Sequence, residues 1–97
     1  MILELADIKI LAGQHRAFEQ AVHQGVELAI SKAKGFQRYE LRQSLETPER
    51  YALLIQWDTL EDHTLGFRGS PAYATWRGLV GQFFAQPPFV EHFSLSQ

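Results

Sequence analysis

Apolar and polar positions repeat with two different periods along this chain, and the switches between them mark its elements. Residues 2–11 alternate every second position, with Ile2, Glu4, Ala6, Ile8 and Ile10 on one face and Leu3, Leu5, Asp7, Lys9 and Leu11 on the other. That pattern predicts a strand. Between Gln14 and Lys34 the period lengthens: Phe18, Ala21, Val22, Val26, Ala29, Ile30 and Ala33 recur at spacings of three and four. This is the buried stripe of an amphipathic helix. Gly13 marks the turn into the helix and Gly35 its exit, and Lys32 and Lys34 sit in the last turn, where positive charge suits the helix dipole. Gly25 weakens the helix interior by about 1 kcal/mol relative to Ala, and is expected to permit close packing on the sheet.

Residues 36–46 alternate imperfectly and predict a second strand, with Thr47-Pro48-Glu49 as a turn into a third strand over 50–57. Tyr51 to Ile55 is apolar on both faces, which requires cover on both sides. Asp58 and Glu61 have the spacing of a capping box opening a short helix that breaks at Gly66 to Gly69. Ser70-Pro71 restarts it, with Ser as cap and Pro at the first helical position. Ala72, Trp76, Leu79, Val80 and Phe83 form its stripe, Pro87-Pro88 ends it, and residues 89–95 predict the last strand. The order is strand, helix, strand, strand, helix pair, strand. It predicts a single α+β domain over residues 1–97, a ferredoxin-like split βαβ fold with an antiparallel sheet. Helices cover one sheet face only, and the apolar residues left on the other predict a homodimer packed sheet to sheet.

Composition narrows the partners. Nine Lys and Arg against eleven Asp and Glu give a net charge of −2, with no basic run, so nucleic acid is not an expected partner. The absence of Cys among the 97 residues excludes disulfides and thiolate chemistry. Glu4, Asp7 and Lys9 interrupt the first apolar run, which therefore reads neither as a signal peptide nor as a membrane span. A cytoplasmic protein is expected.

Two groups of residues could carry chemistry. His15, Glu19 and His23 follow at i, i+4 and i+8, a spacing that could offer metal ligands, yet they drift across a broad helix surface and read as a solvated edge. No metal and no cofactor is expected. His63, Phe67, Tyr73 and Trp76 lie on two helical pieces bent about a glycine break. They offer a proton carrier, stacking surfaces and a phenol, a mixture suited to a planar aromatic ligand. The alternative for Phe67 and Trp76 is plain core packing. His92 on the last strand faces either this pocket or a dimer interface, and the aromatics Phe36 and Tyr39 are further candidates for the pocket lining. Ser44, Ser70, Ser94 and Ser96 have no nucleophile-elbow setting.

The run WDTLEDHTLGFRGSPAYATWR from Trp57 to Arg77, with Phe83 to Phe93 after it, resembles the antibiotic biosynthesis monooxygenase family. The resemblance covers the whole chain in length and element order. It implies a dimeric α+β barrel of two ferredoxin-like subunits. Some members oxygenate phenolic polyketides without flavin, haem or metal, at a site built from an amide or imidazole, an aromatic and a tyrosine. The matching positions here are His63, Phe67 and Tyr73, where the quinone-forming enzymes favour Asn and Trp at the first two and a basic residue near Pro87. Haem-degrading members use an Asn on the first strand and a later His; here these positions hold Ala6 or Asp7, and Trp76 or Arg77, so haem degradation is not expected. The resemblance therefore implies a cofactor-independent monooxygenase of a small phenol or hydroquinone, with His63 and Tyr73 catalytic. The alternative is a non-catalytic dimer that binds a small aromatic molecule.

Overall fold

The computed structural model describes residues 1–95, and Ser96 lies outside them. Strands β1 (Ile2–Lys9) and β3 (Arg50–Trp57) form the centre of one antiparallel sheet, flanked by β2 (Phe36–Gln43) and β4 (Phe89–Ser94) in the order β2-β3-β1-β4. This is the ferredoxin-like split βαβ arrangement. Helices α1 (His15–Leu28) and α2 (Pro71–Val80) pack on one side. Their Phe18, Val22, Val26 and Val80 join Ala6, Ile8, Tyr51, Leu53, Ile55 and Trp57 of the sheet in a single core. Period-two alternation thus places alternate residues of β1 and β3 under the helices.

The element boundaries differ from the sequence expectation where local tertiary contacts intervene. Helix α1 stops at Leu28 rather than Lys34, because Ala29 leaves helical dihedrals and a 3-10 turn over Ile30–Lys32 buries Ile30. Strand β1 ends at Lys9 rather than Leu11, and Ile10 makes an isolated bridge to Phe84. Strand β2 ends at Gln43, where the Ser44 hydroxyl accepts the Thr47 N–H at 3.0 Å and tightens the hairpin. Its imperfect alternation is a bulge between Phe36 and Arg38. Strand β4 ends at Ser94.

The helical pair is also built differently. Thr59, not Asp58, caps the first piece: its Oγ1 accepts the Asp62 N–H at 3.1 Å, while Asp58 instead accepts from Gln37 at 2.5 Å. No break occurs at Gly66. The chain widens into a π-helical segment, Asp62–Phe67, marked by the Arg68 N–H donating to the His63 carbonyl five residues back at 3.1 Å. The turn falls at Arg68-Gly69, where a Cβ on Gly69 would stand 2.5 Å from the Leu65 carbonyl oxygen. The Ser70 hydroxyl does not cap α2 but donates back to Phe67 O at 2.7 Å. Gly25 serves the other helix rather than the sheet, since a Cβ there would meet Trp76 Cε3 at 2.6 Å.

The far face of the sheet is uncovered in the single chain. Leu3, Leu5 and Leu54 are half-buried there, and Phe89 and Phe93 of β4 are 64% and 44% exposed. Toward β2 the same face turns polar, with Arg38, Glu40 and Arg42 in contact and Arg50 gripping Asp7 through two hydrogen bonds of 2.9 and 2.7 Å. Among the described residues no helix is long and apolar enough to cross a membrane.

Candidate active site

Strand β3 ends on Trp57, which is fully buried, and its indole N–H donates to Glu4 Oε1 at 2.9 Å. Glu4 comes from the inward face of β1 and is only 6% exposed, a carboxylate set among core residues. The π-helical segment turns His63 and Phe67 inward together, leaving both buried. The His63 ring stacks on Trp57 with centroids 5.4 Å apart and planes 20° from parallel, and lies 6.3 Å from Phe67 at 24°. Each ring nitrogen of His63 has a polar neighbour: Nδ1 shares a hydrogen bond with His92 Nε2 at 2.8 Å, and Nε2 stands 3.4 Å from Glu4 Oε1, a close approach rather than a hydrogen bond.

A neutral imidazole carries one N–H, so only one hydrogen lies between the two histidines. With Glu4 ionised, both contacts are satisfied when His63 Nε2–H faces Glu4 and His92 Nε2–H donates to His63 Nδ1. The three groups then form a continuous polar chain. It runs from the buried acid on β1 to the half-buried His92 on β4, which pairs directly with Glu4 across the sheet register.

Burial dominates the electrostatics and acts oppositely on the two ends of the buried pair. It raises Glu4 to about 7 even though the Trp57 N–H and the Arg68 cation both pull it down. It lowers His63 to about 4, helped by the charge of Arg68 and by His92. His92 is lowered too, by burial and then by Arg68. His63 is thus neutral near pH 7, and Glu4 is the group that changes charge there.

Beside this chain lies a cavity of about 240 Å³. Glu4 and Ala6 of β1 with Leu53 and Ile55 of β3 make its floor; His63, Phe67, Tyr73 and Trp76 make its wall; Arg68 and Arg77 stand at its rim. Tyr73 meets Phe67 edge-on at 5.6 Å and 90°.

The structure therefore brings together His63, Phe67, Tyr73 and Trp76. It places His92 on the helix side of the sheet, against His63 but not on the cavity surface. Phe36 and Tyr39 do not line this cavity. They lie on the edge strand β2, where Phe36 packs edge-on against Trp57 at 6.2 Å and Tyr39 OH meets His23 Nδ1 at 2.6 Å, beside a separate open depression. The α1 set disperses in the same way: His15 Nε2 donates to Pro48 O at 3.0 Å, and Glu19 accepts the buried Tyr51 hydroxyl at 2.6 Å. These three side chains tie α1 to the hairpin along an edge that stays open to solvent at His23. No cluster of three or more potential metal ligands occurs among the described residues.

Sequence reasoning missed Glu4 and Trp57 as site residues. The signal for Glu4 was present as the one charge in the stripe Ile2, Glu4, Ala6, Ile8 and Ile10. A buried carboxylate needs a compensating partner, and that partner is 53 residues away.

The family model for antibiotic biosynthesis monooxygenases matches residues 1–79. The chain belongs to that family. Among relatives, YczJ of Bacillus subtilis (strain 168), an uncharacterised protein, is 42% identical over 93 residues, covering 96% of this chain and 97% of the relative. A crystal structure from Bordetella bronchiseptica, provisionally assigned as an antibiotic biosynthesis monooxygenase, is 38% identical with a TM-score of 0.93, covering 99% of this chain and 97% of that one. Two further structures share the fold at low identity. SnoaB of Streptomyces nogalater, a cofactor-independent oxygenase, is 11% identical with a TM-score of 0.81 over 99% of this chain and 93% of its own. MhuD of Mycobacterium tuberculosis, a haem degrader with two haems in its active site, is 18% identical with a TM-score of 0.78, covering 100% and 97%.

Proposed function

We propose that this family member is a cofactor-independent monooxygenase of a small phenol or hydroquinone. The observation that carries the reading is the buried Glu4–His63 pair at the edge of a cavity walled by Phe67, Tyr73 and Trp76. An acid that changes charge near pH 7, inside a site lined by aromatic rings, suits deprotonation of a phenol held against it. The description of SnoaB as a cofactor-independent oxygenase supports the same class.

In this mechanism the phenol gives its proton to the Glu4 carboxylate, which lines the cavity, while His63 stands against that carboxylate through Nε2–H. Trp76 and Phe67 hold the ring, and Tyr73 orients the hydroxyl. The phenolate gives one electron to O₂, and the resulting superoxide couples to a ring carbon as a peroxide. The stored proton returns to the outer peroxide oxygen. Cleavage of the O–O bond, with loss of the C–H proton, releases water and leaves a quinone. One phenol and one O₂ thus give one quinone and one water. The substrate supplies all four electrons.

Haem fits this chain poorly. No imidazole stands at Trp76 or Arg77, Nδ1 of His63 is already bonded to His92, and a cavity of about 240 Å³ suits one or two rings better than a macrocycle. The uncovered sheet face, with Phe89, Phe93 and the leucines of β1 and β3, supports a homodimer packed sheet to sheet.

The test is turnover of a panel of phenols and hydroquinones under ¹⁸O₂. One labelled oxygen in the quinone and one in water are expected. Tight binding of the same compounds with no oxygen uptake would instead favour a non-catalytic binding protein.

A further inference from the structure

Resting on that reading of the site, we infer that Arg68 and Arg77 form an anion subsite, and that the natural substrate is a phenol or hydroquinone bearing a carboxylate. Both guanidinium side chains line the same cavity as Glu4 and His63. They arrive from different places: Arg68 from the turn after the π-helical segment, and Arg77 from the last turn of α2. Two exposed cations thus border one small cavity in a chain whose net charge is −2.

Neither takes part in an ion pair among the described residues. Among the described residues the arginine ion pairs are those of Arg38, Arg42 and Arg50, on the opposite face of the sheet. Arg77 has its guanidinium carbon 5.6 Å above the Phe84 ring, which also lines the cavity, so its flat cation is held at the rim by an aromatic face. Arg68 borders the same cavity as Glu4 and His63, and its charge acts on Glu4, His63 and His92 alike.

The polarity of the cavity then orients a ligand. Its floor offers Glu4 to a hydroxyl, its walls offer Phe67 and Trp76 to a ring, and its rim offers two guanidinium groups to an anion. A carboxylate is the anion best matched in size and in bidentate geometry to arginine on a one-ring ligand. An uncharged phenol would fill the wall and the floor but leave the rim unused.

The test compares 4-hydroxybenzoate with its neutral isostere 4-hydroxybenzamide by calorimetric titration of the whole protein at pH 7.5. The acid is expected to bind about tenfold more tightly, as charge-assisted hydrogen bonds warrant. The preference should shrink as salt is raised from 20 to 300 mM. It should fall in Arg68→Gln and Arg77→Gln and vanish in the double variant, while the amide binds all four proteins equally. Equal binding of acid and amide to the native protein overturns the subsite, as does a preference that survives in the double variant, or no binding of either ligand. Oxygen uptake is read separately. An acid preference without turnover of any carboxylated phenol sinks the monooxygenase reading and leaves the subsite standing. Turnover with no acid preference does the reverse.

Discussion

Glu4 Oε1 and His63 Nε2 stand 3.4 Å apart on the buried side of the sheet, and burial drives both groups toward their neutral forms. One titrates near 7 and the other near 4, against ordinary values of 4.5 and 6.5. The pair therefore leaves opposite marks on stability.

The folded state holds more protons than the unfolded one between pH 4.5 and 7 at Glu4, so that group makes stability fall as pH rises through this window. At His63 the folded state holds fewer protons between pH 4 and 6.5, so that group makes stability rise. Urea titrations should show the stability of Glu4→Gln, relative to the native protein, climbing by about 1.4 kcal/mol per pH unit from 4.5 to 7. The same difference for His63→Gln should fall with a similar slope between pH 4 and 6.5. Parallel curves for all three proteins would contradict the assigned burial.

Trp57 holds the carboxylate through its indole N–H. Trp57→Phe keeps an aromatic ring but removes that donor, and should cost about 2 kcal/mol of stability. Because this hydrogen bond lowers Glu4, its loss should push the Glu4 midpoint further above 7, measurable by carboxyl ¹³C NMR. An unchanged midpoint would remove Trp57 from the site.

Gly25 gives Trp76 its place in the cavity wall. A methyl group there would overlap Trp76 Cε3 and Cζ3 at 2.6 and 2.9 Å, so Gly25→Ala must displace the ring. Helix propensity alone would make the substitution stabilising by about 1 kcal/mol. Overpacking should reverse the sign and cost about 1–3 kcal/mol, with ligand affinity falling as well. A gain in thermal midpoint would show that the contact is slack.

The dimer is tested on the uncovered face. Leu54→Arg puts a charge among half-buried leucines far from the cavity. Light scattering should give twice the chain mass of 11.1 kDa for the native protein and a shift toward the single chain for the variant. A native monomer would refute sheet-to-sheet association.

Most of the fold was legible because it rests on period. The apolar run Tyr51 to Ile55 announced a strand, which the sheet places at its centre, and the stripe from Phe18 to Ala33 announced α1. What escaped depended on contacts between residues far apart in the chain. A glycine at 66 suggested a break, yet its nearest outside atom would lie an ordinary 3.7 Å from a Cβ, and the crowded glycine is Gly69. Phe36 and Tyr39 share the inward face with the site but lie on the edge strand opposite β4, a lateral position that alternation does not encode. Glu4 looked like an interruption in a strand until Trp57 and His63 were found around it. His63 was legible as a residue but not as a link, because its partners are on β1 and β4.

The most direct test of the central claim is oxygen uptake against pH with a turned-over phenol, for the native protein and for Glu4→Gln. The native rate should rise through about pH 7 as Glu4 ionises. Glu4→Gln should be at least 100-fold slower, with that inflection gone, while ligand binding persists. A Glu4→Gln protein that consumes oxygen at the native rate with the same pH profile would contradict the account.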